Sequence, residues 1–174
     1  MNLTALTAGT VIIILFSWFL SVRHKRYHGI PRFFAFESIY LLILINLKVW
    51  FHDPFSLNQI FSWILLILSA YAGIAGFLLL KGKGKSSGNF ENTTTLVKSG
   101  IYRLIRHPLY LSLFLLGTGV MMKRPVAEAL VLGAVNLFAI YFTALVEEKE
   151  MAEKFGSEYK EYMKETKMFI PFFL

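Results

Sequence analysis

Two stretches of this chain hold the residue types that do chemistry, and both lie in its second half. From Thr94 to Tyr110, Tyr102, Arg103, Arg106 and His107 are crowded ahead of Pro108, with Tyr110 just beyond. Proline suits the first turn of a helix, where its missing N–H costs nothing. The exposed amides of that helix start, with His107 beside them, then face the preceding loop, which Gly100 lets turn. Arg106 can fork onto a carboxylate or a phosphate. The second stretch, Leu145 to Phe173, sets Glu147 and Glu148 at the foot of a long apolar run. Adjacent carboxylates at a helix C-terminus oppose the macrodipole and repel each other, a local fault that calls for a cation. That cation is Arg103 or Arg106 in a structural clamp, or the ammonium or sulfonium of a ligand. We read the two stretches as closing over one cationic ligand beside the lipid. The plainer alternative, a belt of tyrosines and arginines anchored at a membrane surface, explains the composition well and the His-Pro pair less well.

The elements that must position these groups are helices in a bilayer. At 174 residues, 56% hydrophobic and mean hydropathy +0.56, the chain is far too apolar for a soluble protein of its size. Four long apolar runs stand out, Ala5–Val22, Phe33–Phe51, Asn58–Leu80 and Val126–Val146. At about 1.5 Å per residue each reaches roughly the 30 Å of a hydrocarbon core. A fifth run, Leu109–Met122, has fourteen residues and spans only with its flanks or as part of a hairpin. The expected fold is an all-α integral membrane protein of about five transmembrane helices, with a cytoplasmic C-terminal amphipathic helix carrying Met151, Phe155, Tyr159, Tyr162 and Met163.

Lys and Arg residues gather between the first and second runs, between the third and fourth, and in the tail, whereas Lys123 and Arg124 stand on the other side. Positive residues stay cytoplasmic, so the N-terminus is expected outside and the C-terminus inside. The net charge of +7 follows from this bias and from anionic lipid, and gives no reason to invoke nucleic acid. No positive segment precedes the first run, which reads as a retained helix. The absence of cysteine excludes disulfides and thiolate catalysis. His24 and His28 have i, i+4 spacing, but Gly29 and Pro31 are expected to break a helix there, so we read a basic loop facing lipid and no metal site. Asn46 is expected to bond between helices, Glu37 either to do so or to line a cavity, and Ala72 with Gly76 to allow close packing. The Lys81–Thr95 loop is expected to be flexible in its first half, its Gly84-Lys85-Ser86 lacks the earlier glycine of a phosphate loop, and the Asn92-Thr93-Thr94 triplet is expected to be an unused glycosylation site on the cytoplasmic side.

The segment LVKSGIYRLIRHPLY, followed some forty residues later by EEKEMAEKFGSEYKEYMKETKMFIPF, resembles the integral-membrane methyltransferases of the isoprenylcysteine carboxyl methyltransferase and phospholipid methyltransferase group. The resemblance implies a pocket for S-adenosyl-L-methionine open to the cytoplasm and a lipophilic or lipidated acceptor arriving from the bilayer. It implies cofactor contacts from Leu96, Val97, Tyr102, His107, Pro108, Leu109 and Tyr110, with Glu147 and Glu148 at the methionine end. Thr94 stands where the family usually has a histidine, and Tyr141 and Leu145 where prenylcysteine enzymes place an arginine and a glutamate. The chain then reads as one membrane domain, a three-helix scaffold over 1–80 and a cofactor-binding half over 81–174. Methyl transfer from a sulfonium asks for alignment and water exclusion. Arg106 would orient a carboxylate acceptor, or Glu148 or a water would take the proton of an amine. The other readings are an NADPH-dependent membrane reductase of the sterol reductase kind and a non-enzymatic lipid-binding bundle.

Overall fold

The computed structural model describes residues 3–85 and 93–171. Ser86, Asn92 and the last residues of the tail, Phe173 among them, lie outside that description. The described residues form six α-helices: α1 Leu3–Leu20, α2 Gly29–Asn46, α3 Leu57–Lys83, α4 Pro108–Met121, α5 Ala127–Phe155 and α6 Ser157–Glu165. Short 3-10 turns at Val22–His24, Leu47–Val49 and Gly100–Arg103 link them. Four helices, α1, α2, α3 and α5, are long and apolar enough to cross a membrane; α4 is shorter. Large apolar side chains such as Ile12, Phe55, Ile67, Tyr71, Val131 and Phe138 point outward and are at least 60% exposed, a surface made for lipid.

Boundaries depart from the sequence reading in two informative places. Helix α2 begins at Gly29 and runs through Pro31. Pro31 falls in the first turn, where no intrahelical N–H is missed, so it starts the helix instead of breaking it. The apolar stripe of the tail does not lie on one helix. Met151 and Phe155 end α5, and Gly156, with φ +60°, turns the chain so that Tyr159, Tyr162 and Met163 lie on α6.

Helix α3 packs mainly on α4, α2 on α5 and α1 on α2. The α3–α4 contact is close because small residues face it. A Cβ on Gly76 would meet Pro108 at 3.2 Å, and one on Gly73 would meet Ser112 at 2.7 Å. Ser69 donates to the Ser112 carbonyl at 2.8 Å. Farther along, Gly119 lies against Leu65 and Leu66, and the Lys123 ammonium reaches Gln59 Oε1 at 2.9 Å. Helix α4 and its exit therefore run antiparallel to α3 from the level of Gly76 to that of Gln59, a rise of about 25 Å.

Polar side chains inside the bundle tie helices together, as hydrocarbon offers them no partner. Asn46 donates to the carbonyls of Leu42 and Val120, joining α2 to α4, and Asn136 donates to Ala35 O, joining α5 to α2. The Thr10 hydroxyl donates to Glu37 at 2.7 Å, so Glu37 bonds between α1 and α2. At the far end Lys123 sits in the face of Trp63, 3.5 Å from the ring centroid, with Trp50 at 5.3 Å.

Candidate active site

The site is assembled from the segment entering α4, the end of α5, α6 with the tail behind it, and the loop between α1 and α2. Gly100, at φ +61°, starts the turn that delivers Tyr102 inward and leaves Arg103 exposed. Pro108 opens α4 as its first residue, and His107 is held just before it, 6% exposed. The backbone here is fixed by the tail. Arg106 N–H donates to Lys167 O at 2.8 Å, His107 N–H to Met168 O at 3.1 Å, and Ile105 pairs in parallel with Lys167.

His107 stands between the two glutamates. Its Nε2 is 3.3 Å from Glu148 Oε1 and its Nδ1 3.5 Å from Glu147 Oε2, while Tyr110 stacks on the ring at 5.4 Å and 21°. Burial alone would lower the imidazole pKa, but the hydrogen bonds and charges of Glu147 and Glu148 reverse this and leave it above the ordinary 6.5. Each ring nitrogen faces a carboxylate, an arrangement that favours the protonated ring, in which both are donors. Arg106 Nε donates to Glu148 Oε1 at 2.7 Å, and its Nη1 to the carbonyls of Met163, at 3.2 Å, and Thr166. The Tyr162 hydroxyl donates to Tyr102 O at 2.5 Å, so α6 closes down on the entry segment. Burial, reinforced by Glu147, pushes the Tyr102 phenol well above its usual range. Burial does the same to Tyr159 and Tyr162, so all three stay neutral at physiological pH.

These groups surround a cavity of about 280 Å³. Glu147, His107, Arg106 and Tyr102 form its polar end with Tyr159 and Tyr162, and Leu96, Val97, Pro108, Leu109 and Tyr110 its floor. Phe77 and Leu80 of α3 and Phe16, Arg32 and Phe36 of α1 and α2 are also part of its lining.

Most of the residues expected from sequence are thus brought together. Two stand differently. Thr94 is exposed, donates to Lys85 O at 2.7 Å and lies off the cavity, whereas its neighbour Thr93 is buried and lines it. Glu148 is turned to Arg106 and His107 and is not part of the lining; the pair expected to act on the acceptor, Arg106 and Glu148, contact each other. The two carboxylates of the local fault are therefore separated in role. Glu148 is clamped by Arg106, and Glu147 faces the cavity with its cations farther off, His107 at 3.5 Å and Arg26 at 3.6 Å.

Sequence reasoning missed the first loop. His28, fully buried, holds Glu150 through its ring at 2.7 Å and its backbone N–H at 3.2 Å, and Arg26 Nε lies 3.5 Å from the same carboxylate. The available signal was Glu150 itself, one helical turn beyond Glu147 on the same face. His24, in contrast, is exposed. Among the described residues no group of three or more His, Asp or Glu could hold a metal.

The chain matches the family model described as phospholipid methyltransferase over residues 57–158, which is more than half of it and contains Tyr102, His107, Glu147 and Glu148. It is also 36% identical over 85 residues to the protein-S-isoprenylcysteine O-methyltransferase of Saccharomyces cerevisiae (strain ATCC 204508 / S288c). That similarity covers 47% of this chain and 35% of the relative, so the chain matches about a third of the yeast protein's length. No solved structure matches. With the His-Pro helix start and the glutamate pair inside the matched residues, the chain belongs to the phospholipid methyltransferase family.

Proposed function

We propose that this protein transfers a methyl group from S-adenosyl-L-methionine to a lipophilic or amphipathic acceptor, taking the donor from the cytoplasm and the acceptor from the bilayer. The observation that carries the reading is Glu147, the one carboxylate among the described residues that line a cavity whose wall also holds Tyr102, Tyr110, Tyr159, Tyr162 and His107. When bound, the donor supplies an electrophilic methyl on a sulfonium, whose in-line displacement asks chiefly for alignment. Glu147 would hold the donor's ammonium, and the faces of Tyr102, Tyr159 and Tyr162 suit positive charge. Leu96, Val97, Leu109 and Tyr110 give flat apolar contact for an adenosine, with Thr93 in place of Thr94 as the polar neighbour. His107, held between the glutamates, fixes their spacing. Arg106 and Glu148 act as a positioning pair, binding the tail across the site so that α6 excludes water. In this reading α4, too, crosses the membrane, making five crossings, and α6 lies at the cytoplasmic surface with Tyr159 and Tyr162 turned into the site. The Lys and Arg bias sets the N-terminus outside and the C-terminus inside.

The reductase and lipid-carrier readings find no comparable support. The family match favours methyl transfer over both. The test is thermal unfolding of the detergent-purified protein with S-adenosylhomocysteine or NADPH. A ligand of the native state raises apparent stability. We expect a rise with S-adenosylhomocysteine that Glu147→Gln abolishes; a rise with NADPH alone overturns the reading.

A further inference from the structure

Helix α6 brings two tyrosines to the cavity, and they use their hydroxyls differently. Tyr159 and Tyr162 stand three residues apart on one face of the helix, with ring centroids 5.9 Å apart and the planes at 66°. The Tyr162 hydroxyl is taken, since it donates to Tyr102 O at 2.5 Å and holds α6 against the entry to α4. The end of α6 is held as well, by Arg106 at the Met163 and Thr166 carbonyls. Tyr159 is seated by these contacts and is 3% exposed, yet its own hydroxyl has no hydrogen-bond partner among the described residues. A buried tyrosine ordinarily finds a partner for its O–H. The cavity that Tyr159 lines offers room for one that the protein does not supply.

The charge around this hydroxyl narrows what it can hold. Burial, with Glu147 and Glu148 nearby, keeps the phenol protonated, so it offers a hydrogen to an acceptor. Glu147, in the same lining, attracts positive charge. A ligand that meets both groups carries an ammonium with an acceptor beside it, and an amino-acid end has the two on the same carbon. The neighbouring cations are already matched, His107 to Glu147 and Glu148, and Arg106 to Glu148 and the tail. A carboxylate arriving here is left with neutral O–H groups as its donors.

We propose that the Tyr159 hydroxyl is a specificity determinant for the donor's amino-acid carboxylate, donating a hydrogen bond to that group while Glu147 pairs with the adjacent ammonium. The ring face of Tyr159 suits positive charge with or without the hydroxyl, so the O–H is a separate function of the same side chain. A nucleoside thioether that keeps the ammonium and lacks the carboxylate is then rejected, because it leaves a buried O–H unmatched. The proposal rests on the transfer reaction above for the identity of its ligand.

The experiment is equilibrium binding of two probes to the detergent-purified full chain: S-adenosylhomocysteine, and its decarboxylated analogue, which keeps the nucleoside, the thioether and the ammonium. Wild type should bind S-adenosylhomocysteine roughly tenfold more tightly or better, the scale of a hydrogen bond to a charged group. Tyr159→Phe, which keeps the ring, should weaken S-adenosylhomocysteine by about that factor and leave the analogue unchanged. Tyr162→Phe, which cuts the latch, should lower the unfolding midpoint and weaken both probes alike. Equal affinity of wild type for the two probes overturns the proposal, as does an equal loss of both in Tyr159→Phe, which would make the side chain packing alone. A selective loss in Tyr162→Phe overturns it too, by assigning the discrimination to the seating of α6. If wild type binds neither probe, the proposed reaction itself falls. If wild type discriminates and Tyr159→Phe discriminates equally, the reaction stands and the role of Tyr159 is refuted.

Discussion

At the scale of single residues, the adjacent glutamates show how one local conflict is resolved in two ways. Glu148 is neutralised inside the protein, with its side chain 9% exposed and Arg106 at 8%. Removing one partner of a buried pair leaves the other uncompensated and costs about 3 kcal/mol. Glu148→Gln is therefore expected to lower the unfolding midpoint strongly with or without ligand. Glu147→Gln, whose cations stand farther off, should lower that midpoint less and abolish its rise with S-adenosylhomocysteine. Equal loss of stability in the two variants would show that the carboxylates do one job. His107 adds a pH dependence whose sign is fixed by its raised pKa. A group that binds its proton more tightly when folded contributes its full stabilisation below its unfolded pKa of about 6.5 and loses it as pH rises through the higher folded value. The midpoint of the wild type is expected to fall as pH rises above about 6.5, and that slope should vanish in His107→Gln; a parallel slope in the variant would assign it to another group. The residue types at Arg106, His107, Glu147 and Glu148 were enough to indicate a site in the sequence. Their pairing was not, because Arg103 and Arg106 offer the same charge and only the fold turns one inward.

At the scale of elements, apolar runs made α1, α3 and α5 legible, since hydrocarbon length and helical rise leave little freedom. What escaped were contacts between elements far apart in sequence. Lys167 and Met168 lie along the entry to α4 through backbone bonds, which no side-chain pattern announces. The α1–α2 loop was read as facing lipid, because a basic loop beside a membrane has a sufficient explanation in anionic headgroups. Yet Arg26 and His28 reach across to Glu147 and Glu150 and fix the end of α5 where Glu147 faces the cavity. His28→Ala should cost about 1–3 kcal/mol, the scale for leaving a buried acceptor unmatched. It should also weaken S-adenosylhomocysteine binding through the displaced helix end, whereas exposed His24→Ala should change neither. Thermal unfolding with and without ligand reads both effects, and an unaltered His28→Ala variant would reduce the loop to surface decoration.

At the scale of the whole molecule, the short helix α4 decides the topology. The segment before α4 is bound to the tail beyond α6, and Glu148 near the end of α5 is bound to Arg106, so both ends of the α4–α5 hairpin lie on one side of the bundle. The turn between them lies at the other end, where Lys123 meets Gln59, Trp63 and Trp50. Fourteen residues give α4 only about 21 Å of helix, so the proposed crossing needs Met122 and Lys123 to extend it. Lys123 can do so because its charge is taken up by a glutamine and two indole faces instead of by hydrocarbon. This makes a definite expectation for side-specific labelling, and a chain without cysteine suits the experiment. Single cysteines at Phe55, Arg124, Lys25 and Lys160, all exposed, would be treated with a membrane-impermeant maleimide in intact cells. Phe55→Cys and Arg124→Cys should react from outside, and Lys25→Cys and Lys160→Cys only after permeabilisation, the orientation that the Lys and Arg bias requires. Labelling of Arg124→Cys together with Lys160→Cys, apart from Phe55→Cys, would mean that α4 turns back before crossing, and the arrangement that brings His107 to Glu148 could not then exist in a bilayer.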